Sequence, residues 1–314
     1  MSEERAYLEE LSRRMPATAV IVEAVLAIWP DHDRYMRKSI EARDPTTLRA
    51  TEILAEAALK LAGGRLAELA VNYRWTCDRL REEELNFHRT GSYRLKTFEE
   101  AYREVYSDAA YMEKYVDGLL LSQILWFNHA ASCAFYLSTT PQLLPAGGRM
   151  LEIGPGHGLM TYLALRDFGL ESAAAWDLSP VSIEHTRAAL ALLGFDKVDF
   201  RVCDLMAAKP EGETFDLVVL SEVLEHMEDP KSAMRALRPF LGKSGLVFIN
   251  VPINSPSPDH LYLMQTPDDA RQLLTETGFA IVEERFFATQ GTALDRALRN
   301  RVSVSACLFA RPLN

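Results

Sequence analysis

The sequence predicts an α/β protein in which a helical first half precedes a doubly wound, mainly parallel sheet. Three observations support this fold class. Residues 1–144 carry helix start and stop signals but few strand signals. After residue 145, short apolar runs alternate with segments of helical periodicity, as βαβ units do. The first of these runs, 150–153, leads directly into a glycine-rich turn, which lets a ligand approach the backbone closely.

The first half is predicted to consist of helices separated by short breaks. A helix starts at Asp44-Pro45, with proline at its first position, and ends at Gly63-Gly64. A second helix is predicted over 65–87, and Thr97-x-x-Glu100 forms a capping box for a third. The apolar stretch 118–137 is interrupted by polar residues and predicts a core helix.

Prolines and glycines divide the chain into a helical region, 1–144, and a sheet domain, 145–314. The breaks are Pro141, Pro145, Gly147 and Gly148. Within the sheet domain, further strands are predicted at 173–176, 198–202, 215–220, 246–251, 281–287 and 302–310. The run 215–220 is almost continuously apolar, as expected of a strand buried on both faces. A helix is predicted from Asp229-Pro230 to Leu241.

Charge and composition limit the partners that the protein can have. Its 34 basic and 44 acidic residues give a net charge of −10. Residues 1–144 carry 18 basic and 22 acidic residues (−4), and the remainder carries 16 and 22 (−6). Neither half offers the basic surface that binds nucleic acid, so no such partner is expected.

No run reaches transmembrane length and no secretory leader opens the chain. The four cysteines lack metal or redox spacing. We therefore expect a cytoplasmic protein without a membrane partner.

The glycine-rich turn has the sequence Glu152-Ile-Gly154-Pro-Gly156-His-Gly158. It lacks the glycine spacing of a dinucleotide-binding loop and the Lys-Ser/Thr of a P-loop. An acid at the position of Glu152, near the end of the strand, would repel a phosphate and suits a cationic ligand. Asp177 ends the second strand about 20 residues beyond the turn, where an acid can accept hydrogen bonds from ribose hydroxyls.

The segment Leu-Glu-Ile-Gly-Pro-Gly-His-Gly resembles motif I of the class I S-adenosylmethionine (SAM)-dependent methyltransferases. This resemblance, over about residues 146–312, implies a Rossmann-like sheet with an antiparallel terminal strand and SAM as the cofactor. It also implies that Asp204, after the third strand, accepts from the adenine amino group, with Leu205 and Met206 beside the ring. The predicted cofactor site comprises Glu152, Gly154, Gly156, Gly158, Asp177, Leu178, Asp204, Leu205 and Ser221.

Directly after the fourth strand, Ser221-Glu222-Val-Leu-Glu225-His226 brings together two carboxylates and an imidazole. If this segment is helical, Glu222, Glu225 and His226 lie on one face. His260, in the loop after the fifth strand, is the predicted fourth member. The pattern resembles the metal motifs of plant small-RNA 2′-O-methyltransferases and of ubiquinone-pathway O-methyltransferases. That resemblance implies O-methylation with Mg²⁺ or Mn²⁺ bound by Glu222, Glu225, His226 and His260. The same sequence also occurs in metal-free relatives, so His226 as a general base and a structural role stay open.

The remaining candidate site residues lie before the first strand. The aromatic side chains between Tyr102 and Tyr136 either pack the helices together or form a lid over the acceptor. His129 is a candidate for the acceptor pocket, and the predicted catalytic set is His226, Glu222 and His129.

The function predicted is methylation of a small metabolite of the kind found in natural-product or quinone pathways, most simply on oxygen. Alternatives are N- or C-methylation without metal, RNA methylation, which the charge disfavours, and cofactor binding without catalysis.

Overall fold

The computed structural model describes residues 3–210 and 212–313. Its centre is a seven-stranded sheet with the order β3-β2-β1-β4-β5-β7-β6. The strands are β1 (Arg149–Ile153), β2 (Ser172–Asp177), β3 (Val198–Val202), β4 (Phe215–Ser221), β5 (Leu241–Ile253), β6 (Phe279–Ala288) and β7 (Val304–Pro312). The first five run parallel, and β7 is antiparallel to both β5 and β6. This confirms the predicted Rossmann-like sheet with an antiparallel end.

Helices precede the sheet, as predicted. They are α1 (Glu3–Arg14), α2 (Pro16–Ile28), α3 (Asp33–Glu41), α4 (Pro45–Ala62), α5 (Leu66–Thr90), α6 (Phe98–Ala101), α7 (Ala109–Leu125) and α8 (Phe127–Leu143). Asp44 caps α4 by accepting from the Thr47 amide. The capping box at Thr97 is present, but α6 gives way after one turn to a π-helix, Tyr102–Tyr106.

The prediction of one helix over 118–137 is wrong. The chain is extended at Trp126, between α7 and α8, and the indole Nε1 of Trp126 donates to Tyr73 on α5 at 2.9 Å. Two helices joined at a single extended residue can pack on different neighbours: α7 on α5, and α8 on α4 and the sheet. The break between the two helices therefore coincides with a tertiary contact and not with a helix-breaking residue.

The remaining helices follow strands and cover the sheet. They are α9 (Leu159–Asp167), α10 (Pro180–Leu192), α11 (Pro230–Leu237), α12 (Pro267–Thr275) and α13 (Leu294–Arg299). The helix predicted to reach Leu241 instead ends at Leu237 and continues as a 3₁₀ turn, Arg238–Phe240. Pro239 has no amide hydrogen to continue the α-helical ladder, and β5 already begins at Leu241.

Alternating side chains divide the core between the two faces of the sheet. Met150, Leu217 and Phe248 face a large cluster that also includes Ile21, Leu54 and Tyr136 of the helical region. Leu151, Val218 and Ile249 face the opposite cluster, which contains Met234 of α11 and Leu274 of α12. The helical region thus shares a hydrophobic core with one face of the sheet. The boundary at 144/145 stays a prediction. Among the described residues, no helix has the length and apolar character needed to cross a membrane.

Candidate functional site

All the predicted site residues that follow strands lie at the carboxyl edge of the parallel strands, next to the switch between β1 and β4. At this edge the glycine-rich turn connects β1 to α9. Gly154, Gly156 and Gly158 all have positive φ, so the turn uses backbone conformations that other residues adopt at a cost. A Cβ at Gly154 would come within 2.7 Å of Val223, whereas a Cβ at Gly156 would meet nothing within 4 Å. Gly156 therefore leaves open space beside the backbone.

Glu152 is buried under this turn and bonds to the start of α9. Its carboxylate accepts from the amide of Thr161 at 2.9 Å and also from the Thr161 hydroxyl. Burial raises the pKa of Glu152 to about 8, although both Thr161 bonds act in the opposite direction. Glu152 thus holds the turn in place, and its predicted contact with the cofactor stays a prediction.

Asp177 lies at the end of β2 with part of its carboxylate already engaged. Oδ1 accepts from the Ser179 amide at 2.8 Å, and Oδ2 accepts from the Ser182 hydroxyl at 2.7 Å. Ser179 itself caps α10 by accepting from the Ser182 amide. A carboxylate has about four acceptor positions, so two remain for ribose hydroxyls. Leu178, next to it, is 59% exposed and offers an apolar surface at the same edge.

Asp204 and its neighbours follow β3 on the exposed side of the edge. Asp204 Oδ1 accepts from the amide of Met206 at 2.9 Å, which leaves Oδ2 for an amino group. Leu205 points into the core and is only 5% exposed, whereas Met206 is 54% exposed. The predicted contact with the adenine ring is therefore better supplied by Met206 and Leu178 than by Leu205. Ser221 accepts from Asn250 Nδ2 at 3.2 Å, and its predicted cofactor role is untested.

Glu222, Glu225 and His226 do not share the face of an α-helix, because this segment is not α-helical. Glu222 has φ of 55°, the left-handed region, and a single 3₁₀ turn, Leu224–His226, follows it. A non-glycine residue in this conformation costs of the order of 1 kcal/mol or more, and such strain is concentrated at functional sites. The tight turn, and not helical periodicity, brings the two carboxylates close together.

Glu225, His226 and His260 nevertheless meet, and together with Glu222, whose side chain interacts with that of Glu225, we call them the carboxylate–histidine cluster. Ligand atoms of Glu225, His226 and His260 lie within 4.8 Å of one another. Glu225 Oε1 is 3.7 Å from His226 Nε2, and the rings of His226 and His260 meet edge to face at 4.9 Å. Glu222 joins the cluster from the preceding turn, where its amide donates to Asn250 of β5.

The cluster contains carboxyl oxygens that are buried away from water. Within the described part of the chain, Glu222 Oε1 and both carboxylate oxygens of Glu225 are buried without a hydrogen-bond partner. Burial raises the pKa of Glu222 and of Glu225, and the charge of Glu222 raises that of Glu225 further. Burial and the neighbouring His226 lower the pKa of His260 to about 4, so its ring is neutral near pH 7. A neutral imidazole beside unpartnered carboxylates belongs to the donor set that a divalent cation requires.

The residues that surround the two histidines were not predicted from the sequence. Asp259, which is 4% exposed, accepts from Tyr106 of the π-helix and from Tyr115 of α7. Although burial opposes it, nearby His226 and His260 hold the pKa of Asp259 below its usual range. Tyr93 accepts from the amide of Ser255 and packs edge to face on His260. The only sequence signals were the acid next to His260 and the aromatic richness of the helical region.

His129 lies apart from these residues. In α8 it is hydrogen-bonded to Ser122 and Gln123 of α7 through Nδ1, at 3.0 and 3.2 Å, and its ring contacts Trp126. Burial lowers the pKa of His129 to about 4. These contacts hold the His129 imidazole within the helical region. Its catalytic role stays a prediction.

Fold and site together define a SAM-dependent methyltransferase: a sheet of order 3-2-1-4-5-7-6 with a glycine-rich turn after β1 and acids after β2 and β3. Residues 127–301 match the family described as methyltransferase domain. Because this match covers more than half of the 314 residues, the chain belongs to that family.

Known proteins match part of the chain. The chain is 34% identical over 118 residues to a ubiquinone biosynthesis O-methyltransferase of Xanthomonas axonopodis pv. citri, which covers 37% of this chain and 48% of that protein. It is 32% identical over 123 residues to the human mitochondrial ubiquinone biosynthesis O-methyltransferase, covering 36% and 32%. The matches thus span half or less of these relatives.

Solved structures are similar at lower identity. The [4+2]-cyclase SpnF superposes with a TM-score of 0.48 at 18% identity, covering 60% of this chain and 84% of that one. A SAM-dependent methyltransferase of Geobacter sulfurreducens in complex with S-adenosyl-L-homocysteine has a TM-score of 0.43 at 15% identity, covering 56% and 90%.

Proposed function

We propose that the protein methylates a hydroxyl group of a small metabolite, assisted by Mg²⁺ or Mn²⁺ held by Glu222, Glu225, His226 and His260. The relatives named above are O-methyltransferases of ubiquinone biosynthesis, which favours oxygen as the acceptor atom. The net charge of −10 disfavours a nucleic-acid acceptor. We assign the enzyme to the cytoplasm, where its four unpaired cysteines would remain reduced.

The observation that carries the cation is the set of three buried carboxylate oxygens without partners in the described chain. Leaving such oxygens unpaired costs free energy, because the carboxylates lose water and gain few hydrogen bonds in return. Two carboxylates this close also repel each other unless one takes up a proton or a cation lies between them. Oxygen and imidazole donors together suit Mn²⁺, and oxygen donors suit Mg²⁺.

The chain supplies position and environment for the transfer. When bound, SAM supplies the methyl group from its sulfonium centre. A divalent cation in the cluster would lower the pKa of an acceptor hydroxyl. The residues after β1, β2 and β3 hold the cofactor at the same edge of the sheet as the cluster, so the acceptor oxygen can be aligned with the sulfur–methyl bond. Tyr93, Tyr106 and Tyr115 bring the helical region over the cluster, where it limits access of water.

A second candidate is metal-free transfer to nitrogen or carbon with His226 as the base. One observation favours it: His226 Nδ1 lies 3.5 Å from a carboxylate oxygen of Asp259, and a carboxylate at this nitrogen supports an imidazole that accepts a proton at Nε2. The unpartnered oxygens of Glu222 and Glu225 would then have no role. This is why the cation-assisted reaction is preferred.

A methylation assay decides between these functions. The purified enzyme, treated with a chelator, is incubated with SAM and with a catechol, an aromatic amine or an RNA oligonucleotide, and products are identified by mass spectrometry. We expect O-methylation of the catechol that is lost on chelation and restored by Mn²⁺ or Mg²⁺. Methylation of nitrogen or carbon that is insensitive to chelation would replace the proposal by the His226 alternative. SAM binding without methylation of any acceptor would indicate a cofactor-binding module.

A further inference from the structure

The loop between β5 and α12 presents backbone carbonyls to both histidines of the cluster. The carbonyl of Ser255 lies 2.7 Å from Nδ1 of His260, and the carbonyl of Asp259 lies 3.2 Å from Nδ1 of His226. A carbonyl oxygen can only accept a hydrogen bond. Nδ1 must therefore carry the hydrogen in both rings, and in the neutral imidazole Nε2 keeps its lone pair. For His226, that lone pair is on the side of Glu225.

The side chain of Asp259 anchors this loop to the helical region. Its Oδ2 accepts from Tyr106 at 3.2 Å, and its Oδ1 accepts from Tyr115 at 3.0 Å and from Ser257 at 2.9 Å. The two tyrosines belong to different elements, the π-helix and α7. Asp259, which is almost fully buried, thus connects its loop to two neighbouring elements of the helical region that lie 153 and 144 positions earlier.

The hydroxyl of Tyr106 links the Asp259 carboxylate to His226. Tyr106 Oη lies 3.1 Å from His226 Nδ1 and has one hydrogen to give. Tyr106 donates that hydrogen to Asp259 Oδ2. The oxygen of Tyr106 is then an acceptor for His226. The Asp259 carboxylate therefore favours the same protonation of Nδ1 as the Asp259 carbonyl does.

We propose that Asp259 is a positioning residue, which acts through Tyr106 and its own carbonyl to hold His226 in the Nδ1–H tautomer with Nε2 directed towards Glu225. The proposal rests on the proposed function, since that orientation is the one that presents a lone pair to a cation. Partners of this kind fix the ring of a metal-binding histidine and raise its affinity. The helical region then forms part of the cation site without supplying a ligand.

The first experiment reads the tautomer without metal or substrate. Protein labelled with ¹⁵N-histidine is stripped of metal, and two-bond ¹H–¹⁵N spectra are recorded near pH 8. The rings are assigned from the signals lost in His226→Gln and His260→Gln. We expect His226 to be the neutral Nδ1–H tautomer in the wild type. In Asp259→Asn and in Tyr106→Phe we expect a mixture with visible Nε2–H signal.

The second experiment measures Mn²⁺ affinity by electron paramagnetic resonance. We expect Asp259→Asn to weaken binding by about 10- to 100-fold and Tyr106→Phe by about tenfold, the range known for residues that orient a ligand. Tyr102→Phe is the matched control, because Tyr102 lies on the same π-helix, is 56% exposed and makes no side-chain hydrogen bond to the described residues. Thermal melting and S-adenosylhomocysteine affinity check the fold of each variant. If Asp259→Asn does not fold, Tyr106→Phe carries the test.

The outcomes are distinguishable. A wild-type His226 that is mainly Nε2–H overturns the proposal, and so does Mn²⁺ affinity that is unchanged in both folded variants. If the wild type binds no Mn²⁺, the cation of the proposed function is refuted. The tautomer spectra then decide the role of Asp259 alone: a shift in the two variants supports it, and unchanged spectra reject it.

Discussion

Replacing Asp177 with alanine should weaken cofactor binding far more than it weakens the fold. The carboxylate already accepts two hydrogen bonds, from Ser179 and Ser182, so two acceptor positions are left for the ribose hydroxyls. Hydrogen bonds to a charged group contribute about 1.5–3 kcal/mol each, and two of them about 3–6 kcal/mol. That is a loss of roughly 10²- to 10⁴-fold in affinity, at about 1.4 kcal/mol per tenfold.

The measurement is calorimetric titration with S-adenosylhomocysteine. Asp177→Ala also removes the acceptor for two groups at the start of α10, so a loss of about 1–2 kcal/mol in unfolding free energy accompanies it. Ser182→Ala is the control, because it removes one of these internal bonds and leaves the carboxylate in place. We expect near-normal affinity for Ser182→Ala. Affinity of Asp177→Ala within about threefold of the wild type, under 1 kcal/mol, would refute ribose binding by Asp177.

Three further predictions concern other parts of the chain. Gly118→Ala would place a Cβ 2.1 Å from Thr76 Oγ1, so we expect urea unfolding to show a loss of about 2 kcal/mol or more, partly restored by adding Thr76→Ala. Because burial raises the pKa of Glu152 to about 8, the folded state binds more protons than the unfolded state above about pH 4.5, and wild-type stability should fall as pH rises to about 8. Glu152→Gln should make stability depend less on pH over this range. An unchanged pH dependence would contradict the raised pKa of Glu152. Glu222→Ala should reduce turnover much more than cofactor affinity, and equal losses would place Glu222 in the cofactor site.

The sheet was predictable because each strand and cap is encoded by nearby residues. Asp44 and Thr97 cap helices in the structure, and the apolar run at 215–220 is a central strand. The break at Trp126 was not predictable, since neither glycine nor proline marks it. A bond to Tyr73, 53 positions earlier, accompanies it. Likewise, the short α11 reflects a proline at 239 and a strand that begins earlier than the apolar pattern suggested.

In the site, the residue types were predictable but their arrangement was not. The spacing of Glu222, Glu225 and His226 suggested a helix, whereas the backbone forms a strained turn. That turn depends on pairing of β4 with β5, which local periodicity does not show. Asp259 was missed for the same reason. Its partners Tyr106 and Tyr115 lie 153 and 144 positions away, so only the packing of the helical region on the loop reveals its contacts.

The central claim, a cation held by the carboxylate–histidine cluster, is tested most directly by equilibrium binding of Mn²⁺. Electron paramagnetic resonance would follow free Mn²⁺ during titration of the wild type, Glu222→Ala and His260→Ala, each with S-adenosylhomocysteine present. If the cluster binds a cation, one specific site per chain is expected in the wild type, and it is lost in both variants. The absence of specific binding to the wild type, or equal binding by all three proteins, would contradict it.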